Sequence, residues 1–264
     1  MNFFTKCRKQ IRRISGERAF RRESGTHNFR LIPGWLLESM RIGSDFSSQF
    51  GQDWFVATHV FPNKKDGIFV DVGANHPIEI NNTLFFEKQG WTGIAFEPQA
   101  DLCELWKSFR KTLCLPFVLG SERKSVSFIL HEAHTLSCVS SDKDQSASSE
   151  KHFISEQYRL DDVLREHKIS HVDLLSIDVE GYEKEVLLGI DFQKIDITCV
   201  VIENDRIRDG DPLIRQFIKA AGYRHIARLD GDDVFIKRGS KTEKEFALSP
   251  PVLSSKSSNE YRVL

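Results

Sequence analysis

The chain has no apolar run approaching the ~18 residues that a membrane-spanning helix needs, so no spanning helix is expected. Its first residues also lack the continuous apolar core of a secretory signal. Cysteine is sparse and scattered: Cys7, Cys103, Cys114, Cys138 and Cys199 are the only five in 264 residues. No CxxC pair or Cys/His cluster has zinc spacing, and an odd count argues against a disulfide framework. These absences point to a reducing, cytoplasmic setting. An excess of one charge sign is missing too. The net charge is −1, which gives no reason to expect nucleic acid as a partner. No internal repeat occurs.

What is present is ordinary for a packed domain: 40% hydrophobic and 28% charged residues. Three regions are expected. Residues 1–43 are a basic extension, 44–238 a single domain, and 239–264, rich in Ser, Lys, Glu and Pro, a disordered tail. Residues 140–151 (SSDKDQSASSEK) are a polar, low-complexity stretch inside the domain, of the kind that forms a functional or mobile loop. Residues 6–30 carry nine Lys/Arg against only Glu17 and Glu23, with Phe20, Ile11 and Ile14 interspersed. Such an arm fits either a solvated extension or peripheral contact with an anionic membrane.

Within the domain, strands and helices alternate. Residues 68–72 are an apolar, β-branched run such as a strand buried on both faces requires. Asn82 and Thr83 are placed to cap a short helix ending before Gly90. Residues 93–96 predict a second strand. Leu102, Leu105, Trp106 and Phe109 recur at helical spacing and predict one buried stripe. Residues 113–119 predict a third strand, 125–130 an extra one, 172–177 a fourth and 197–203 a fifth. Helices are expected from Asp161 and around residues 183–188. Asp211 before Pro212 is an N-cap followed by proline at the first helical position. Residues 223–229 and 234–237, separated by Asp230 and Gly231, carry a strong hairpin signal. An α/β sheet that is parallel and closes with a C-terminal antiparallel hairpin resembles the seven-stranded, Rossmann-like layout of class I S-adenosylmethionine-dependent methyltransferases. A nicotinamide dehydrogenase would continue with parallel strands.

The most telling segment is residues 67–75 (GIFVDVGAN), followed by Glu97 at the end of the second strand. Glycine at 73 lets the backbone turn tightly and approach a ligand. A carboxylate at the next strand's end can accept hydrogen bonds from both hydroxyls of a ribose. The dinucleotide fingerprint GxGxxG is not met, because Asn75 stands where it has its second glycine.

Further segments extend the match: residues 48–53 (SQFGQD), 69–77 (FVDVGANHP), 82–86 (NTLFF), 90–93 (GWTG), 96–98 (FEP), 160–164 (LDDVL), 175–181 (LSIDVEG) and 186–189 (VLLG). In this order they resemble the FkbM-type methyltransferases, and more closely a subgroup with His-Pro at positions 76–77. The resemblance implies methyl transfer from S-adenosylmethionine, usually to a hydroxyl oxygen on a sugar or natural product. By position it implies that Glu97 holds the cofactor ribose, with Gly73 and Asn75 under the methionine part. Asp71 fixes that loop or the cofactor amine. Asn82 and Thr83 reach the methionine carboxylate or simply cap their helix. Gly120 and Ser121 touch adenine, and Ser48, Gln49 and Asp53 fold over the cofactor.

Transfer to a hydroxyl needs a proton acceptor. Asp178 and Glu180 follow the fourth strand's carboxyl end, the edge that faces the ligand crevice in open α/β sheets. One or both serve as base, or one caps the next helix while the other pairs with a cation. His76 is the leading imidazole candidate, with a loop-fixing role as its alternative; His131 and His134 read as surface residues or part of an acceptor lid. Glu203, Asn204 and Asp205 also reach the crevice edge. Asp178, Glu180 and Glu203 allow a divalent cation without demanding one. The expected activity is O-methylation of a carbohydrate or glycan precursor. An amine or small natural product as acceptor, and a non-catalytic cofactor-binding scaffold, are the alternatives.

Overall fold

A computed structural model of the chain describes residues 31–32, 45–130, 138–139, 151–205, 210–248, 252–254 and 260–262. The basic arm at 6–30, His131, His134 and the stretch 140–150 lie outside these residues. In chain order the strands of the two larger sheets are β1 (Leu31–Ile32), β2 (Ile68–Val72), β3 (Thr92–Phe96), β4 (Leu113–Leu115), β5 (Val118–Leu119), β6 (Lys124–Leu130), β7 (Cys138–Val139), β8 (Lys151–Tyr158), β9 (His171–Ile177), β10 (Asp196–Glu203), β11 (Tyr223–Leu229) and β12 (Asp232–Lys237), and two short strands, Val252–Ser254 and Glu260–Arg262, pair antiparallel with each other. The helices are α1 (Gln52–Phe55, running into a π-helical turn at Val56–Val60), α2 (Leu84–Lys88), α3 (Ala100–Phe109), α4 (Leu160–Glu166), α5 (Glu183–Leu188), α6 (Pro212–Ala220) and α7 (Lys241–Leu248). Among the described residues, no helix is long and apolar enough to cross a membrane.

Seven strands form the main sheet in the order β11-β12-β10-β9-β2-β3-β4, and the two-residue β1 adds to its outer edge beside β11. All neighbouring pairs are parallel except those made by β12, which runs against β10 and β11. This is the Rossmann-like methyltransferase sheet with its terminal hairpin. Side chains alternate across it with the period of two that strands impose. Val70, Val72, Val200 and Ile202 join the core under α4, α5 and α6. Phe69, Cys199 and Val201 join the opposite core with Phe55, Trp91 and Phe246.

Four local expectations change. Pro116 divides the third strand: β4 stays in the main sheet, whereas β5 pairs with β8 in a second, four-stranded sheet. Proline has no N–H to continue a ladder. Strand β8 carries no sequence signal, because its polarity is inverted: Ser155 and Gln157 are buried while Ile154 is 70% exposed. The stripe of α3 is turned. Cys103 and Trp106 are buried, and Phe109 is exposed. Finally, the domain does not end at 238. Ser240 caps α7: the Glu243 N–H donates to Ser240 Oγ, and the Glu243 carboxylate reaches back to accept the N–H of Gly239, the residue before the cap. Phe246 then seats that helix in the core.

Candidate functional site

The carboxyl ends of the parallel strands open onto a cleft of about 680 Å³. Gly73, with φ +79°, carries the chain out of β2. A Cβ there would lie 1.7 Å from the Asp178 carbonyl oxygen, so only glycine lets the turns after β2 and β9 pass each other. The N–H groups of Gly73 and Ala74 both donate to Phe96 O, which holds this turn against the end of β3. Asn75 N–H donates to Glu97 Oε2 at 3.0 Å and Gln99 N–H to Glu97 Oε1 at 2.9 Å. Two backbone donors thus fix the carboxylate in one orientation. Burial pushes its pKa up to about 7 against the pull of those bonds. Trp106 Nε1 anchors the same turn by donating to Asn75 O.

Facing this turn is a group of carboxylates. Asp178, Glu180, Glu203, Asp205 and Asp232 all line the cleft, and none of its described lining residues is Lys or Arg. Asp178, Glu180 and Glu203 each offer an oxygen, all within 4.8 Å of one another. Like charges this close cannot all ionise. Burial, then Asp232 and Glu180, raise Asp178 well above the usual carboxylate range. Burial, then Asp178 and Glu180, push Glu203 up to about 10, and its Oε2 has no hydrogen-bond partner among the described residues. Below the cluster, Asp233 accepts from Arg215, Arg228 and Asn204. Asn204 in turn accepts Asp211 N–H. This buried network pins the turn that carries Glu203 and Asp205.

An acid whose folded pKa lies above its unfolded value near ~4.3 holds its proton more tightly in the native state. Its contribution is complete below that value and is lost as pH rises toward about 10. Replacing Glu203 with Gln removes this liability. The variant should melt higher than the wild type by a margin that widens from about pH 5 to about pH 9. Parallel melting curves across that window would mean Glu203 does not titrate within the cluster.

Of the residues singled out from sequence, Gln49, Gly73, Asn75, His76, Glu97, Asp178, Glu180, Glu203 and Asp205 line the cleft. The other described ones stand behind it. Asp71 is buried and accepts from Thr83 Oγ1 at 2.6 Å. Thr83 is therefore spent on Asp71, and Asn82 donates to Ser176 Oγ. The residue that caps α2 is Asn81, whose Oδ1 accepts from the N–H groups of Thr83 and Leu84. Asp53 gathers Ser47 N–H, Ser48 N–H and Ser48 Oγ, so Ser48 and Asp53 shape the strap 47–51 while Gln49 and Phe50 face the cleft. Gly120 N–H bonds to Tyr158 O and Ser121 to Glu185; the cleft wall at that end is Phe117, Val118 and Leu119 instead.

His76 is corrected as a base. Its Nδ1 accepts from the N–H groups of Ile78 and Glu79, so in the neutral ring the proton sits on Nε2 and no free lone pair faces the cleft. It fixes its loop. Asp232 and Gln52 went unnoticed. Because β12 is antiparallel, its first residue arrives at the carboxyl edge, where Asp232 pairs with Glu203. The Gln52 amide donates to Asp232 Oδ2 and accepts Phe50 N–H, joining the strap to that edge. The DG turn alone was enough to place Asp232 there.

Residues 71–225 match the family model of the methyltransferase FkbM domain, more than half of the chain. The chain belongs to the FkbM methyltransferase family. Among solved structures, the crystal structure of a methyltransferase FkbM from Methylobacillus flagellatus KT is similar, at 13% identity and a TM-score of 0.42. That likeness covers 65% of this chain and 44% of the other, so it spans less than half of that protein's length. No curated protein sequence matches the chain. The matched region runs from Asp71 through α6 and into β11, and so contains Gly73, Glu97, the Asp178–Glu180 turn and Glu203.

Proposed function

We propose that this FkbM methyltransferase moves a methyl group from S-adenosylmethionine to a hydroxyl oxygen, with a carbohydrate or glycan precursor as acceptor. The observation that carries the reading is the Glu97 carboxylate, locked by Asn75 and Gln99 N–H beside the Gly73 turn and across from the carboxylate cluster. The residues suit the cofactor part by part. Glu97 keeps lone pairs for a ribose diol. Phe96, Phe117, Val118 and Leu119 line an apolar slot suited to an adenine ring. The acidic end favours a sulfonium and an ammonium group.

S-adenosylmethionine would supply an already activated methyl carbon. What remains for the chain is alignment of the acceptor oxygen and removal of its proton. Asp178 and Glu180 stand at the cleft to take it, while Glu203, pushed up to about 10, keeps its own. The three oxygens would also accept a hard divalent cation, but proton removal by Asp178 and Glu180 needs none. A cleft end lined by Asp178, Glu203, Asp205 and Asp232, with no Lys or Arg among its described lining residues, disfavours phosphorylated or carboxylated acceptors. It leaves neutral hydroxylated compounds, which a base must activate, and amines, which the same charge would attract.

Calorimetry tests the cofactor. The wild type should bind S-adenosylmethionine and ignore NAD, and Glu97→Ala should weaken binding by roughly tenfold or more, the loss of about 1.4 kcal/mol. Binding of NAD with no response to S-adenosylmethionine would overturn the reading.

A further inference from the structure

Ile80 combines two features that rarely coincide. Its φ is +49°, in the left-handed region that a β-branched side chain avoids. Its side chain is also 52% exposed, so burial within the chain does little to offset the strain. Glycine or asparagine would hold this conformation with less strain. An exposed isoleucine alone means little. A strained one that lines the cleft is different, because strain persists only where the surroundings impose it and tends to sit at functional sites.

The surroundings do impose it. Residues 76–81 are braced from within and without. His76 Nδ1 takes Ile78 and Glu79 N–H. The buried Arg110 donates to Pro77 O at 2.9 Å and to Asn81 Oδ1 at 3.1 Å. Asn81 Nδ2 donates to Ala74 O and His76 O. The strap closes the rim from the other side: Ser47 Oγ donates to Asn81 O, and Asn81 N–H donates to Ser47 O. Loop and strap together set Ile80 and Phe50 on the cleft's lining, and Ile78, 39% exposed, lies two residues away.

We infer that Ile80 is a specificity-determining residue that contacts an apolar chain of the methyl acceptor. The acceptor is then an amphiphile, with a hydroxylated head at the carboxylate cluster and an apolar chain leaving the cleft past Ile80. This rests on the methyl-transfer reading above and adds the apolar portion to it.

The experiment compares wild type, Ile80→Gly and Ile80→Val in the full chain. Three quantities are read: melting temperature, affinity for S-adenosylhomocysteine, and transfer of labelled methyl groups into an extract of the protein's own cells, divided into organic-soluble and water-soluble fractions. Glycine relieves the strain, so Ile80→Gly should melt at or above the wild-type temperature. It should keep cofactor-product affinity within about twofold, and transfer should fall about tenfold or more, the size expected when one aliphatic contact is lost. Ile80→Val should retain most transfer. Wild-type label should enter the organic-soluble fraction. The inference is overturned by undiminished transfer in Ile80→Gly, by a matching fall in S-adenosylhomocysteine affinity, by a lower melting temperature, or by wild-type label confined to water-soluble products. A wild type that binds no S-adenosylhomocysteine refutes the cofactor reading instead, and the calorimetric readout identifies that failure separately.

Discussion

Gly73→Ala should abolish cofactor binding and cost on the order of 4 kcal/mol of stability, the range reserved for backbone clashes and broken cores. Two independent penalties add. The residue sits at φ +79°, where any Cβ is strained. The added carbon would also meet the Asp178 carbonyl oxygen at 1.7 Å. That carbonyl is backbone, and its residue is tied down, since Asp178 N–H donates to Val72 O. Relief therefore requires the β2 and β9 turns to separate, which would carry Asn75 away from Glu97 on one side and displace Asp178 on the other. Chemical denaturation and calorimetry with S-adenosylmethionine measure both losses. A variant with wild-type stability and affinity would mean the two turns do not pass this closely in solution.

Asp178→Asn should leave cofactor affinity within a few-fold of wild type and lower methyl transfer by about 10²–10⁴-fold, the usual contribution of a positioned general base. The substitution is nearly isosteric. It removes a carboxylate whose ionised form burial and Asp232 already disfavour, so the fold should be at least as stable. Glu180→Gln should lower transfer in the same direction. The double variant should lose less than the product of the two single losses, because residues that act as one unit are not additive. Single-turnover transfer from labelled S-adenosylmethionine reads this directly. Wild-type transfer in both single variants would remove the pair from the chemistry and leave it a purely electrostatic role.

Much of the architecture was legible because buried parallel strands announce themselves. Residues 68–72 and 172–177 are near-continuous apolar runs, and Asp230-Gly231 marks the hairpin. Strand β8 was illegible for the opposite reason: Ser155 and Gln157 face inward, and Gln157 is buried to receive the Tyr182 hydroxyl and to donate to Glu122 O. At the site, glycine and carboxylates at strand ends could be placed from topology alone. Their supporting residues could not. Which of Asn81, Asn82 and Thr83 caps α2 depends on which side chain donates to the Asp71 carboxylate, a tertiary fact. His76 looked like a base because its residue type permits it, and only the positions of two backbone N–H groups decide otherwise. Arg110 carried no signal at all. It lies at the end of α3, 33 residues from the Pro77 carbonyl that it holds.

The bond between Gln52 and Asp232 joins positions 180 residues apart. A chain made from its N-terminus therefore cannot complete this pocket until Asp232 has been made. The hydrogen bonds that join Gly73, Ala74, Asn75 and Gln99 to Phe96 and Glu97 close over short stretches of chain, whereas the strap and the carboxylate edge are joined only once β12 exists. Contacts of such long sequence separation form late and slowly. A nascent chain, or one cut before β12, would thus hold the Gly73 turn and Glu97 without Asp232, and β12 acts as a checkpoint between being made and having a complete cleft.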